Sequence, residues 1–194
     1  MQIIRKSSFK PVPWRNGGGV THEAMRVPAH GDDFVWRVSV AQIDASGPFS
    51  DFAAYHRTMV LLKGSGLELK FGDGHQRLLG RIGQWVQFDG ALATHCRLLD
   101  GPCMDLNLMV AKTRTMVARV EQLREGRELS ASQSESTLIF GIDAPLILDA
   151  GGGDDARRLE PWDLAVMTNA TVRVAQALPG STTPAAAFFA TIQH

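Results

Sequence analysis

The chain has 194 residues, 44% hydrophobic and 21% charged, with 20 basic against 20 acidic side chains and a formal net charge of zero. That length suits one compact domain or two small units sharing a core, and the balanced charge leaves no basic excess for nucleic acid and no polybasic run for a membrane. No apolar run approaches the roughly 18 residues of a membrane span, and Met1-Gln2-Ile3-Ile4-Arg5-Lys6 lacks the long apolar stretch of a signal peptide. Cys96 and Cys103 have no metal-type spacing. A reducing, cytoplasmic setting is the simple reading, with a turn-closing disulfide the alternative.

In chain order, residues 2–12 read as a short strand and a proline-flanked extension. Pro13-Trp14-Arg15-Asn16-Gly17-Gly18-Gly19-Val20-Thr21-His22-Glu23 then combines an aromatic, a cation, a carboxamide, three glycines, a hydroxyl, an imidazole and a carboxylate. Consecutive glycines cost backbone entropy and are tolerated where a ligand or another strand comes close. The segment is read as a pocket wall, against a plain glycine-rich turn. A short run over 23–28 and a turn at 30–33 follow. Phe34 to Ile43 then alternates with period two: Phe34, Trp36, Val38, Val40 and Gln42 on one face, Val35, Arg37, Ser39 and Ala41 on the other. If the second face looks into a barrel, Arg37 and Ser39 are available to a ligand; otherwise it is a solvated outer face.

Further short strands are expected at 58–62, 67–71, 85–88, 95–99 and 104–110, separated by turn residues such as Gly72-Asp73-Gly74 and Asp89-Gly90. Thr115 to Arg124 suits a helix or a strand, and Glu128 to Ser136 reads as a polar loop between two halves. Strands resume at 137–140, 145–148, 164–167, 171–175 and 188–192. This is the all-β sandwich or barrel pattern. A weak repeat pairs Leu67-Glu68-Leu69, Gly72-Asp73-Gly74 and Arg77-Leu78-Leu79 with Leu146-Ile147-Leu148, Gly153-Asp154-Asp155 and Arg157-Arg158-Leu159. Two similar β units in one compact body follow, divided as 1–125 and 126–194.

The six histidines form no H-x-H or H-E-x-x-H pattern, so no metal is expected, and no cofactor motif is present. Ser65 lacks a nucleophile-elbow context, and Gly17-Gly18-Gly19 lacks the Lys-Ser/Thr ending of a phosphate loop. What remains is a set suited to a small anion: Arg15, Asn16, Thr21, Arg37, Ser39, Arg57 and Asn107, with Trp14, Trp36, Phe49 and Met109 as apolar walls. Arginine grips carboxylates through paired hydrogen bonds. Asp105, Asn107 and Met109 share one strand face. For Arg57 and Asp105 a structural ion pair is the competing reading.

Pro13-Trp14-Arg15-Asn16-Gly17-Gly18-Gly19-Val20-Thr21, Trp36-Arg37-Val38-Ser39-Val40-Ala41, Gly47-Pro48-Phe49-Ser50-Asp51-Phe52, Arg57 to Gly66 and Asp105 to Met109 together resemble, in order over residues 1–110, the blocks of the HutD/Ves family. The chain departs from that family at Ala53-Ala54-Tyr55-His56-Arg57, where His56 stands in place of an acidic neighbour of Arg57. That puts in doubt any role resting on an Asp–Arg pair. The resemblance implies a cupin-like barrel with two cupin-like halves (a bicupin), an association with histidine utilisation, and binding of an intermediate such as formylglutamate or urocanate. The expected ligand site is Trp14, Asn16, Thr21, Glu23, Arg37, Ser39, Phe49, Arg57 and Asn107, holding a small anionic metabolite without catalysis. Cupins often pair through strand edges, which leaves room for a homodimer. The alternatives are a metal-independent enzyme with His22 or Glu23 as general base and a structural protein with no small ligand.

Overall fold

Alternating runs become strands because each has one face to bury. A computed structural model describes residues 1–14, 19–31, 33–151, 156–177 and 185–194. Its strands are β1 (Gln2–Ile4), β2 (Lys10–Pro13), β3 (Gly19–Val27), β4 (Trp36–Ile43), β5 (Gly47–Pro48), β6 (Tyr55–Lys63), β7 (Leu67–Phe71), β8 (Gln76–Leu79), β9 (Trp85–Asp89), β10 (Thr94–Leu98), β11 (Cys103–Ala111), β12 (Met116–Leu123), β13 (Glu128–Ala131), β14 (Glu135–Gly141), β15 (Leu146–Asp149), β16 (Arg157–Leu159), β17 (Leu164–Met167), β18 (Ala170–Ala177) and β19 (Ala185–Gln193). A single 3₁₀ turn at Lys6–Ser8 is the one helical element among the described residues.

The chain divides into two compact units, Phe9–Thr113 and Met1–Ser8 with Arg114–His194. Phe9–Thr113 holds a six-stranded sheet, β2-β3-β4-β11-β6-β9, and a four-stranded sheet, β5-β10-β7-β8. Its core includes Ile43, Met59, Leu61, Leu67, Leu69, Phe71, Val86, Cys96 and Cys103. Both cysteines are free and buried, filling core volume as small apolar groups. The other unit holds β1-β17-β14-β19-β12 and β13-β18-β15-β16. Its core is aliphatic and aromatic, including Leu123, Ile139, Leu146, Leu148, Leu159, Leu164 and Phe189.

The order β4-β11-β6-β9 recurs as β12-β19-β14-β17, and β5-β10-β7-β8 recurs as β13-β18-β15-β16. The weak sequence repeat marks the hairpins β7–β8 and β15–β16, although its Gly153-Asp154-Asp155 lies outside the described residues. Residues 115–124, which suited helix or strand, are strand, because β12 pairs with β19 from Met116↔Ile192 to Leu123↔Ala185. One region differs from expectation. The polar stretch 128–136 contains β13 and the start of β14: Leu129 and Ala131 are buried between exposed Glu128 and Ser130, an alternation too short to stand out in the sequence. The division into units also differs from the 125/126 boundary. β12 pairs with β19, and β1 pairs with β17 through Gln2↔Val166, Ile3↔Ala165 and Ile4↔Leu164.

Candidate functional site

The six-stranded sheet of Phe9–Thr113 presents rows of side chains that the ladder register fixes. One row runs Thr21, Ala41, Asp105, Leu61; the next Glu23, Ser39, Asn107, Met59; the third Arg26, Arg37, Met109, Arg57, Phe88. Opposed residues in a ladder share a face, so β4 turns Arg37, Ser39 and Ala41 inward. Trp36, Val38 and Val40 take the other face, and they too are buried. A register shift in β3 between Glu23 and Met25 changes the phase, and so Glu23 and Arg26 both face in.

This inner face lines a cavity of about 600 Å³ bounded by residues of β2, β3, β4, β6, β11 and the 48–52 loop. Of the expected site residues, Trp14, Thr21, Glu23, Arg37, Ser39, Phe49, Arg57 and Asn107 all line it. Asn16, with Arg15, Gly17 and Gly18, lies outside the described residues. Two expectations are corrected. Trp36 is no cavity wall: it sits on the opposite face of β4 and is 2% exposed. His22 pairs with Val40 on that same outward phase and does not line the cavity, so it is no general base for a ligand held there.

Trp14 is fixed from two sides. Its backbone N–H donates to the Gly19 carbonyl at 2.9 Å, and its indole Nε1–H donates to Thr21 Oγ1 at 2.8 Å. Its ring meets Phe49 edge-on, 6.3 Å between centroids. A Cβ on Gly19 would lie 2.1 Å from the Gln42 carbonyl oxygen and 3.3 Å from Trp14 Cδ2, so only glycine lets β3 and the indole close on β4.

The electrostatics of the cavity are unusual. Arg57 is 5% exposed, yet its guanidinium makes no hydrogen bond or ion pair among the described residues. It lies 5.2, 5.5 and 5.1 Å from the ring centroids of Phe49, Phe52 and Phe88. Such contacts are attractive for a cation but carry no counter-charge. Burial lowers its pKa to about 10, while Asp105 opposes the shift. Arg37 stands beside it, 5.0 Å from Phe34 and 5.4 Å from Phe52, with one nitrogen 3.3 Å from Met109 Sδ. Burial also depresses its pKa, against the attraction of Glu23. Asp105 is 1% exposed with no partner among the described residues for either carboxylate oxygen, and burial raises its pKa to about 7 despite the pull of Arg57. The competing ion-pair reading for Arg57 and Asp105 thus fails in its direct form: the two influence each other through space but do not bond. Ser39 Oγ donates a long 3.5 Å bond to the Asn107 carbonyl, and Asn107 Oδ1 has no partner.

Sequence reasoning passed over Arg26 and Phe52 and left Asp105, noted for the face it shares with Asn107 and Met109, outside the expected ligand site. Phe52 was visible within Gly47-Pro48-Phe49-Ser50-Asp51-Phe52, and Asp105 shared a face with Asn107. Arg26 gave no signal, because the irregularity after Glu23 breaks the alternation. The His56 departure falls away from the site: β6 pairs it with Asp89 on β9, on the face opposite Arg57. Among the described residues no three His, Cys, Asp or Glu side chains cluster to hold a metal ion.

The HutD family profile matches residues 6–185. The chain belongs to the HutD family. An uncharacterised 21.2 kDa protein in the hutC 3′ region of Pseudomonas putida is 33% identical over 164 residues, 84% of each chain. The Ves protein of Escherichia fergusonii is 35% identical over 130 residues, 66% of each. The structure of HutD from Pseudomonas fluorescens SBW25 (formate condition) superposes with a TM-score of 0.78 at 27% identity, covering 100% of this chain and 98% of that one. A cupin 2 conserved barrel domain protein from Leptotrichia buccalis, at 10% identity and a TM-score of 0.57, shares the fold over 95% of both chains. This HutD-family chain is therefore all-β and cupin-like. No helix among its described residues is long and apolar enough to cross a membrane.

Proposed function

We propose that this HutD-family protein is a non-catalytic binding protein for a small carboxylate. It would modulate histidine utilisation by holding an intermediate such as formylglutamate or urocanate. The observation that carries the reading is Arg57, a buried cation facing the cavity across three aromatic rings with no anion bonded to it. An uncompensated buried charge costs several kcal/mol, and an anion in the cavity would offset that cost. Arginine's planar fork suits a carboxylate, and Arg37 offers a second fork beside the first. Thr21, Ser39 and Asn107 supply hydrogen-bonding groups, and Trp14 and Phe49 flank the ligand. The location of the Pseudomonas putida relative in the hutC 3′ region supports the link to histidine utilisation.

The test is a thermal-shift panel of formylglutamate, urocanate, glutarate and formate. Stabilisation by at least one acid is expected, and Arg37→Ala or Arg57→Met should abolish it while the variants remain folded by circular dichroism. No shift with any acid would count against the reading. A second reading, metal-independent catalysis, is favoured by one observation: Glu23 lines the cavity in the row next to the two arginines. Slow conversion of an acid followed by NMR, lost in Glu23→Gln, would favour it over simple binding.

A further inference from the structure

Among the described residues, the carboxyl of Asp105 is the one acidic group of the cavity that is fully buried, and neither of its oxygens has a hydrogen-bond partner. Buried carboxylates are normally held by hydrogen bonds or a direct cation. Here β11 places Asp105 between Ala41 on β4 and Leu61 on β6, neither of which can bond it through a side chain. The charge that bears on it is Arg57 on β6; Cys96 on β10 is a titratable neighbour, its thiol pushed up to about 12 by burial and by Asp105 itself. Cys103 lies on β11, two residues before it. Arg37 on β4 and Glu23 and Arg26 on β3 complete the charged lining. Cys96 stays a thiol and Arg57 stays a cation near neutrality, so Asp105 is the group that can change charge.

We propose that Asp105 is a ligand-contacting residue that acts as the neutral acid, so that seating a carboxylate on Arg57 draws one proton from solvent onto an Asp105 oxygen. This rests on the anion-binding reading above. In the empty cavity Arg57 is the cation that favours an ionised Asp105. An anion on Arg57 cancels that attraction and adds a like charge beside a carboxylate already short of solvation, and two carboxylates sharing a site cannot both remain ionised cheaply. The proton goes to one Asp105 oxygen, no covalent bond is made or broken, and the neutral carboxyl becomes a hydrogen-bond donor. A donor there favours ligands presenting an acceptor, such as a second carboxylate or a formyl oxygen. With burial already holding the free carboxyl near pH 7, coupling falls in the physiological range.

Isothermal titration of the full-length protein with formylglutamate, in buffers of different ionisation enthalpy, reads the proton directly. Uptake of about one proton at pH 8 and almost none at pH 5.5 is expected, with affinity falling up to about tenfold per pH unit above 7. Asp105→Asn should bind with little pH dependence and no uptake. Binding by the wild type without uptake, or uptake that persists in a folded Asp105→Asn, overturns the assignment to Asp105 and leaves the anion site standing. No binding heat at any pH with formylglutamate or with any other acid of the panel overturns the anion site and this inference with it. The wild-type measurement is decisive even if the variant does not fold.

Discussion

Asp105 and Arg57 show how two buried charges can be neighbours without being a pair. The sign of the Asp105 effect on stability follows from its pKa, raised by burial to about 7 from the 3.8 of an ordinary aspartate. Between those values the folded protein binds more protons than the unfolded chain, so stability falls as pH rises from about 4 to 7 and then levels. Asp105→Asn removes this dependence. Urea unfolding should find the variant more stable than wild type above pH 7, by roughly 1–3 kcal/mol, and the two converging toward pH 4. Arg57→Lys is the complementary change. A lysine keeps the charge but loses the planar fork that sits among Phe49, Phe52 and Phe88, so carboxylate affinity should drop about tenfold or more. Titration of the variant with formylglutamate checks this; unchanged affinity would mean that charge alone suffices.

At the scale of the strand, β3 and β4 decide what reaches the cavity. Gly19→Ala would drive a methyl into the Gln42 carbonyl and against Trp14. A loss of about 1–3 kcal/mol is expected by urea unfolding, with altered tryptophan fluorescence as β3 shifts. Much of this level was legible in the sequence. The alternation of β4 placed Arg37 and Ser39 on one face, and Asp105, Asn107 and Met109 on one face of β11. Whether the β4 face met solvent or a cavity was not legible, because alternation gives phase and not surroundings. Arg26 was hidden for a different reason: the register shift after Glu23 sets two inward residues three apart, a spacing that ordinary strand alternation does not produce. β13 was lost among polar residues, since two buried side chains in four make too short a pattern.

Across the whole chain, the same strand order serves two different interiors. In Phe9–Thr113 the inward face of β4 and β11 is polar and bounds the cavity. In the other unit the corresponding β12 and β19 bring Ala185, Ala187 and Phe189 into an apolar core. Arg119 there lies 5.3 Å from the Phe189 ring, but it is bonded to Glu121 at 2.9 Å, and Arg127 reaches the same carboxylate at 3.1 Å. Those cations have a bonded anion within the protein, whereas Arg37 and Arg57 have none among the described residues. Beyond its pairing with β17, the N-terminal segment supplies charge. Asp163, 1% exposed, accepts from Arg5 Nη1 at 2.7 Å and from the Lys6 backbone N–H at 2.9 Å. Arg5→Ala should therefore destabilise the protein by about 1–2 kcal/mol in urea unfolding without changing carboxylate binding.

The pairing of β1 with β17 also sets an order in time. Residues 2–4 are made before their partners at 164–166, which leave the ribosome some 160 residues later, a wait of roughly ten seconds or more at ordinary rates of synthesis. Residues 9–113 meet all their sheet partners within their own contiguous stretch and can close while the first strand is still waiting. In refolding, tryptophan signals from Trp14 and Trp85 should lead that of Trp162, whose ring meets Lys6, 6.0 Å from its centroid, only through a contact of long sequence separation.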